Sequence, residues 1–309
     1  MKNRTDFSYE GYRWQPSDCD LPEFDPSDFL KRMQNKVIAI VGDSLSREHT
    51  ESLMCMLTRD QPQDKIDEVE DVTEQYGFLP LTFVHKKHGW AYRFRTTNTT
   101  IVHSWSTRLC DREPVNPDDP DSFFAIHLDR QPAFIRNYIH QLDVLVINTA
   151  HHWSKMQMDK YNELMFVNGT RIQDDHDPLW NMTNARMFKI NNIVQWLESQ
   201  MDLYPNLQVF FRTFSPVHFF KGDWNTGGKC DNTIPMTRGS EVLTDESSDK
   251  VVADALKGMR IKILDITALS DLRDEAHISH FRDRGYDCMH WCLPGIPDTW
   301  NELLIAQVH

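Results

Sequence analysis

Four short and almost wholly apolar runs constrain the fold of this chain more than any other feature of its sequence. Their length and their content of β-branched and aromatic residues are typical of strands that are buried on both faces of a sheet. A fifth run, TIVHSWS at 100–106, has the same character but is weaker. The four runs are KVIAIV at 36–41, DVLVIN at 143–148, LQVFFR at 207–212 and IKILDI at 261–266.

Segments with the apolar spacing of helices lie between these runs, most clearly at 45–57 and 184–201. Strands that alternate with helices at these lengths predict the α/β class, with a parallel sheet flanked by helices on both faces. With 309 residues, of which 40% are hydrophobic, the chain is long enough to form one large domain over 1–309 with loop-rich insertions. The acidic, polar stretch 60–77 is predicted to be such a loop.

Charge and hydropathy exclude two classes of partner. The formal net charge is -13 and no basic stripe is present, so a nucleic acid is not expected as a partner. No stretch approaches the ~20 apolar residues of a membrane-spanning helix. The first ten residues lack the apolar core of a signal peptide. We therefore expect a soluble globular chain, which is also compatible with the lumenal part of a longer protein.

Cysteine spacing and glycosylation sequons bear on metal binding and on the compartment. No two cysteines have CxxC spacing, and the last two flank a histidine too closely for a tetrahedral zinc site, so no metal is expected. Asn-X-Ser/Thr sequons favour a glycosylated protein of the secretory pathway. The sequons begin at Asn3, Asn98, Asn168 and Asn181, and the cysteines are Cys19, Cys55, Cys110, Cys230, Cys288 and Cys292.

Polar or reactive residues follow three of the predicted strands, at the edge where open α/β sheets bind their ligands. The first strand ends in Gly42-Asp43-Ser44 and leads directly into a helix. The hydroxyl of Ser44 would lie near free backbone N–H groups, which can stabilise an oxyanion, so Ser44 is a candidate nucleophile. A serine in this place also commonly caps the helix, and the motif alone leaves both interpretations open.

A second candidate constellation lies near the C-terminus, in YDCMHWCLPGIPDTWNELL at 286–304. Asp287 and His290 are three residues apart, so the carboxylate can hold the imidazole Nδ1–H and leave Nε2 free to accept a serine proton. An exposed turn pair is the alternative for an isolated Asp-x-x-His. The density of Trp, Cys, Pro and Gly around these two residues instead predicts a rigid loop that aims the base.

Long stretches of the chain resemble the plant trichome birefringence-like proteins, in order and spacing, over nearly the whole sequence. The stretches include YRWQPSDCDLPEFDP, VGDSLSR, FAIHLDRQPAFIRNYIHQLDVLVINTAHHW, FFKGDWNTGGKCDNT and DCMHWCLPGIPDTWNELL. The catalytic domain of that family is a relative of the GDSL/SGNH esterases, so the resemblance implies an SGNH-hydrolase-like, PC-esterase-like domain. Residues 1–28 would then be an extended remnant of the family's N-terminal segment, without its membrane anchor. Relatives carry a cysteine-bearing segment before YRWQP, so Cys19 and Cys55 are expected to lack their usual disulfide partners.

The resemblance also implies an activity. The family acts as polysaccharide O-acetyltransferases of the Golgi lumen, which acetylate cell-wall xylan, mannan or pectic chains. By that resemblance Ser44 carries the acetyl group as a transient ester, His290 is the base and Asp287 orients it. The implied partners are a polysaccharide acceptor and an acetyl donor as co-substrate, acetyl-CoA or another, with no bound cofactor. A membrane is expected as a partner only through an N-terminal anchor.

Further residues are candidates for the pocket around this serine. Gly42 and Asn148 stand at strand ends; Asn148 takes the place of the fold's oxyanion-hole asparagine or is a simple turn residue. Arg47, one turn into the helix, would bind a donor or sugar oxygen or form a surface salt bridge. His151 and the adjacent His152 would be pocket walls or acid–base groups.

Tryptophans are candidates for stacking against sugar rings, because their flat apolar faces match the C–H faces of pyranoses. Burial in the core is the commoner fate of tryptophan, so only one or two are expected to touch the acceptor. The candidates are Trp105, Trp153, Trp224, Trp291 and Trp300.

The chain departs from the family pattern beside the predicted site. Ala150 stands where relatives usually have glycine, and its methyl group would crowd the pocket. Glu48, His49 and Thr50 replace a commoner Gln/Asn–aromatic run. Two other functions remain open on the residues alone: an acetylesterase that uses the same triad with water as acceptor, and a polysaccharide-binding protein in which Ser44 is inert.

Overall fold

The fold is built around one mixed sheet. The computed structural model describes residues 8–11, 13–15, 20–59, 68–79, 88–234, 236, 249–280 and 285–308. Within these ranges the strands are β1 Val37–Gly42, β2 Val69–Asp71, β3 Gly89–Phe94, β4 Thr99–Trp105, β5 Asp111–Pro114, β6 Phe124–His127, β7 Val144–Ile147, β8 Glu163–Val167, β9 Thr170–Arg171, β10 Gln208–Arg212, β11 Lys262–Leu264, β12 His277–His280 and β13 Tyr286–Trp291.

The helices lie between the strands, as the apolar spacing predicts. In the same ranges the α-helices are α1 Pro26–Arg32, α2 Ser44–Thr58, α3 Ala133–Tyr138, α4 Lys155–Lys160, α5 Met182–Leu203, α6 Lys250–Ala255, α7 Thr267–Asp271 and α8 Ile296–Gln307. Short 3₁₀ turns occupy Ser8–Gly11, Thr73–Tyr76, Ile139–Gln141, Pro178–Trp180 and Asp274–Ala276.

The central sheet has the strand order β11-β10-β7-β1-β4-β3-β2. The five strands from β11 to β4 pair in parallel, whereas β3 and β2 are added antiparallel at one side. The four strong apolar runs of the sequence form β1, β7, β10 and β11, and the weaker run forms β4, which pairs directly with β1. The carboxyl ends of β1, β7 and β10 therefore meet at one edge, as predicted.

Two hydrophobic cores cover the two faces of this sheet. Ile38 and Ile40 of β1 point into a core that includes residues of α1, α2 and α8. Ala39 and Val41 point into a second core that includes residues of α3, α5 and α6. Successive strand side chains alternate between the faces, so an uninterrupted apolar run is what a strand buried on both sides requires. The predicted α/β fold is thus confirmed.

Two smaller sheets complete the architecture. One has the order β5-β6-β8-β9 and packs its own small core, which includes Ile126 and Met165. The other is the antiparallel hairpin of β12 and β13 near the C-terminus. This hairpin contributes Trp291 to the first core and leads through 292–295 into α8.

Some segment predictions need adjustment. Residues 60–67 of the predicted acidic loop lie outside the described residues, and 68–77 contain β2 and a 3₁₀ turn rather than loop alone, because β2 pairs with β3 at the sheet edge. Residues 1–7, 12 and 16–19 of the predicted extended segment also lie outside the described residues. The assignment of 1–309 to one domain stays a prediction. No helix among the described residues combines the length and the apolar character needed to cross a membrane.

Candidate active site

Ser44 is placed by the junction of β1 and α2. The strand ends at Gly42, Asp43 is the N-cap, and the helix begins at Ser44. The Asp43 carboxylate accepts hydrogen bonds from the N–H groups of Leu45 at 3.1 Å and Ser46 at 3.4 Å. Capping is therefore done by the aspartate. The alternative in which Ser44 serves as the cap does not hold, and its hydroxyl is available for another partner.

Gly42 is required by close packing at this junction. A Cβ atom on Gly42 would collide with the side chain of Ser46 and lie 3.0 Å from the carbonyl oxygen of Asn148, which follows β7. A larger residue here would therefore require Ser46 or the neighbouring backbone to shift. Gly42 thus shapes the turn that presents Ser44.

Asp287 and His290 lie on β13, where the hairpin is irregular. His277 pairs with Trp291 and Ser279 with Asp287, so a single residue of β12 stands opposite three residues of β13. In a regular strand, residues three apart point to opposite faces. The bulge breaks this alternation and brings the two side chains together. The predicted rigid loop is thus an irregular strand, and the rigidity comes from hairpin pairing.

The two distant segments meet at the edge of the sheet. The Ser44 hydroxyl lies 2.7 Å from His290 Nε2, although 246 residues separate them in the chain. His290 Nδ1 lies 2.9 Å from Asp287 Oδ2 and 3.1 Å from Oδ1. The carboxylate accepts from Nδ1–H, so Nε2 of the neutral ring is free to accept the serine proton. This is the geometry of a serine nucleophile, a general base and an orienting acid.

Aspartate also shapes the backbone that carries the base. Asp287 Oδ1 accepts hydrogen bonds from the N–H groups of His290 at 3.0 Å and Met289 at 3.3 Å. One carboxylate oxygen therefore holds the turn while the other faces the imidazole. The side chains of His290 and Asp287 retain 25% and 27% exposure, so a small molecule can reach the pair from solvent.

Electrostatics in the site favour the imidazolium form of the base. Burial opposes charge on His290, but its hydrogen bond to Asp287 and the nearby Glu48 carboxyl outweigh burial and raise the pKa of His290 to about 9. Burial also favours neutral Asp287, yet the hydrogen bond from His290 lowers the pKa of the aspartate. A base stabilised in its protonated form is what proton abstraction from a serine demands.

Two buried rings, Trp291 and His277, lie next to the backbone of His290. Trp291 is 1% exposed and stacks on His277 with ring centroids 3.8 Å apart. Its indole N–H donates to the Ser215 hydroxyl at 2.8 Å. His277 Nδ1–H donates to the carbonyl oxygen of His290 at 3.0 Å, and His277 Nε2 lies 2.7 Å from Nδ1 of His218. Burial lowers the pKa of His277 to about 3, so this ring is neutral and its donor is directed at His290.

A disulfide links β13, the strand that carries Asp287 and His290, to Cys230. Cys230 and Cys288 form a bond across 58 residues, and Cys288 lies between the two triad residues of β13. Sequence spacing did not predict this pairing, because the two cysteines are brought together only by the fold. Cys19 lies outside the described residues, and Cys55 forms no disulfide within the described part of the chain.

The polar pocket candidates occupy different positions. Asn148 is buried, and its amide donates to the carbonyls of Arg212 at 3.1 Å and Thr213 at 3.4 Å. Its N–H groups are thus engaged with β10 in this arrangement, so its role at an oxyanion stays a prediction. Arg47 forms an ion pair with Glu51 at 3.6 Å, which is the surface alternative, and its charge also acts on His290.

Of the two histidines after β7, His151 lines a cavity at this edge of the sheet, and His152 is not among the residues that line it. His151 Nε2 donates to the carbonyl oxygen of Ser215 at 2.8 Å, and burial lowers its pKa. His152 is half-buried, and burial lowers its pKa to about 4. Both rings are therefore neutral near pH 7, and neither is hydrogen-bonded to Ser44 in the described part of the chain.

The tryptophan candidates divide by exposure. Trp291 and Trp300 are 1% and 0% exposed, so they have no face open to a sugar, and Trp291 is corrected from a stacking candidate to a packing residue. Trp105 is half-buried at the end of β4, and Trp224 is 62% exposed. Trp153 is half-buried and donates its indole N–H to Thr149 at 2.7 Å.

A cavity of about 280 Å³ lies at the carboxyl ends of β7 and β10, and the three triad residues are not among those that line it. Ser215 connects the two regions, because it accepts hydrogen bonds from His151 of the lining and from Trp291, the neighbour of His290. The cavity lining combines aromatic and charged side chains: Ala150, His151, Trp153, Met182, Thr183, Arg186, Phe214 and Asp249. Ala150 is part of this lining; that its methyl group crowds the pocket stays a prediction.

Sequence reasoning missed several residues of the site. Glu48 was noted only as a departure from a pattern, and His277 and His218 carry no motif. Buried polar residues in a site region are a signal in principle, but the sequence does not tell which histidines are buried. Within the described residues, the acidic group Asp174, Asp175 and His176 has donor atoms close enough for a cation, but it is exposed and unrelated to the triad.

A parallel α/β sheet with a serine, a histidine and an aspartate at its carboxyl edge defines the class of enzymes that use a serine for acyl chemistry. Residues 21–307 match the PC-Esterase family model, described as a GDSL/SGNH-like acyl-esterase family found in Pmr5 and Cas1p. The chain belongs to this family.

Its relatives include named plant proteins. It is 51% identical to Protein trichome birefringence-like 14 of Arabidopsis thaliana, with 100% of this chain and 78% of the relative covered. It is 50% identical to Protein trichome birefringence-like 15 of the same plant, with 100% of this chain and 64% of the relative covered. It is 28% identical to Xyloglucan O-acetyltransferase 3 of Populus trichocarpa, with 99% and 77% covered.

Proposed function

We propose that this chain is an O-acetyltransferase that moves an acetyl group onto a hydroxyl of a plant cell-wall polysaccharide through an ester on Ser44. The observation that carries the proposal is the 2.7 Å contact between the Ser44 hydroxyl and His290 Nε2, in a chain whose family includes a named O-acetyltransferase. The secretory pathway, and the Golgi lumen within it, is the proposed location.

In the first half-reaction His290 Nε2 accepts the proton of the Ser44 hydroxyl while the oxygen attacks the acetyl carbonyl carbon. The carbonyl oxygen becomes an oxyanion near the start of α2, where the helix dipole favours negative charge, although the N–H groups of Leu45 and Ser46 there already donate to Asp43. The bond to the donor's leaving group then breaks, and the imidazolium returns the proton to that group. Ser44 now carries the acetyl ester.

In the second half-reaction a sugar hydroxyl takes the place of the leaving group. His290 removes its proton, the sugar oxygen attacks the acetyl carbon, and the ester to Ser44 breaks with return of the proton to the serine oxygen. Asp287 stabilises the imidazolium in both halves. The cavity at the carboxyl ends of β7 and β10, with Trp153 and Phe214 in its wall, supports a seat for the acceptor at the same edge of the sheet as the triad.

The test uses an isotopically labelled acetyl donor with oligomers of xylan, mannan, pectin and xyloglucan, followed by product mass. The parent protein should label at Ser44 and transfer the label to one class of oligomer, whereas Ser44→Ala should do neither. Ser199→Ala, an exposed serine on α5, is the matched control and should retain the parent rate.

The alternatives appear as distinct results. Release of labelled acetate without acetylated oligomer, dependent on Ser44, would make the protein an acetylesterase. Oligomer binding without any labelling of the protein would make it a binding protein. Labelling that survives in Ser44→Ala would end the serine mechanism.

A further inference from the structure

The peptide bond between His290 and Trp291 is held by side chains at both of its polar ends. Its carbonyl oxygen accepts a hydrogen bond from His277 Nδ1–H at 3.0 Å. Its N–H group donates to Glu48 Oε2 at 3.2 Å. The bulged backbone of the catalytic base is thus fixed by two buried partners that belong to different elements, β12 and α2.

Glu48 stands on the same face of α2 as the nucleophile. It follows Ser44 by four residues, which is one helical turn, and it is 6% exposed. The same helix therefore presents a hydroxyl to the imidazole of His290 and a carboxyl group to the backbone next to it. A buried carboxyl group is costly unless it makes specific interactions, so its placement here calls for a role.

The charges around Glu48 are arranged toward the triad. Burial raises the pKa of Glu48 to about 8, against the opposing attraction of His290. Asp287 adds to the rise and Arg47 opposes it, and the buried Arg212 also feels the charge of Glu48. Glu48 therefore becomes charged in the alkaline range where His290 itself titrates.

Several other groups face the base. The two carboxyl groups favour the imidazolium form of His290, whereas the guanidinium of Arg47 opposes it. The groups that act on His290 or feel its charge are Asp287, Glu48, Arg47, His151 and His277.

We propose that Glu48 is a second carboxyl partner of His290, a positioning residue that holds the His290–Trp291 peptide and whose negative charge strengthens the base. Asp287 orients the ring from its Nδ1 side, and Glu48 acts through the backbone and through its field. The inference rests on the proposed serine chemistry at Ser44 and goes beyond it by assigning a residue outside the triad.

The proposed role of Glu48 predicts the direction in which the pKa of His290 changes when the charge of Glu48 is removed. Glu48→Gln keeps an oxygen that can accept the Trp291 N–H but removes the charge that favours protonated His290. The pKa of His290 should fall by about one unit, because Glu48 is one of the groups that raise it and a neighbouring opposite charge typically shifts a pKa by about one to three units. The acid limb of the pH–rate profile should move to lower pH, and the alkaline plateau should fall because the base is weaker.

The experiment measures both quantities on the full chain. Acylation of Ser44 by p-nitrophenyl acetate is followed from pH 5 to about pH 10 in the parent and in Glu48→Gln. The His290 imidazole is titrated in parallel by ¹⁵N-histidine NMR. Asp254→Asn, which removes one negative charge at an exposed position on α6, where Asp254 pairs with Lys257, is the control and should leave both values in place.

The outcomes separate the role from simple packing. The proposal is supported if the acid limb of the pH–rate profile and the NMR titration of His290 both move down by about one pH unit in Glu48→Gln. Glu48→Asp, which keeps the charge, should restore both values. If Glu48→Gln does not fold, Glu48→Ala tests the same loss of charge and should show the same NMR shift. An unchanged His290 titration in a folded neutral variant overturns the proposal. Absence of any acylation in the parent would end the proposed serine function, while the NMR titration would still decide the role of Glu48.

Discussion

Asp287→Asn tests the triad most sharply, because the structure assigns different jobs to the two carboxylate oxygens. Oδ1 accepts from the backbone N–H groups of Met289 and His290, and Oδ2 lies 2.9 Å from the imidazole Nδ1. In the asparagine variant the amide oxygen keeps the backbone bonds and the amide nitrogen faces Nδ1. Two donors then oppose each other, so the ring takes the tautomer that carries its proton on Nε2.

That tautomer cannot accept the proton of Ser44. The loss is the charge-assisted hydrogen bond to the imidazolium, about 1.5–3 kcal/mol, together with the wrong tautomer of the ring. An aspartate-to-asparagine change in a serine–histidine–aspartate triad slows the reaction by up to roughly 10⁴-fold. Acylation should therefore slow by roughly 10²- to 10⁴-fold. The free energy of unfolding should change little, because the turn is preserved.

The assay is single-turnover acylation of Ser44, with thermal unfolding measured on the same samples. Asp287→Ala should slow acylation as well but should also lose about 1–3 kcal/mol of stability, since two backbone N–H groups lose their acceptor. Asp298→Asn is a control on α8: it weakens a 2.5 Å bond to Ser52 and should reduce stability while leaving acylation intact. A folded Asp287→Asn variant that acylates within tenfold of the parent would refute the reasoning.

Three further predictions follow from the site. Because His290 must be unprotonated to accept a proton and its pKa is raised to about 9, the acylation rate of the parent should rise with pH through the alkaline range; a midpoint at or below the ordinary imidazole value would contradict this. Replacing both Cys230 and Cys288 by serine should lower the free energy of unfolding by about 2–5 kcal/mol, measured by denaturant titration. It should also slow acylation, because β13, which carries His290, is less firmly held. An unchanged unfolding midpoint would show that the pairing of β12 with β13 suffices without the disulfide. Trp291→Ala should cost about 3–5 kcal/mol of stability, because this side chain is buried. Trp224→Ala, at an exposed position, should leave stability unchanged and is the variant to compare for acceptor binding. Equal stability of the two variants would contradict the assigned burial.

The comparison of sequence and structure is most informative at the triad. Ser44 and the pair Asp287 and His290 were identified from local patterns, but the short motif around Ser44 left helix capping as an alternative. The structure removed that alternative by showing Asp43 as the cap. The geometry that joins Asp287 to His290 depends on a bulge in β13, and a bulge is set by the pairing of two strands rather than by either strand alone.

The sequence by itself determined the elements and the class of fold, because strand and helix periodicity are local properties of consecutive side chains. Tertiary structure alone decided which polar residues share the site. Glu48, His277 and the disulfide of Cys230 with Cys288 acquire their roles only when α2, β12 and β13 pack together. Burial, which sets both the pKa values and the energetic weight of these contacts, is a property of the packed chain and has no local signature in the sequence.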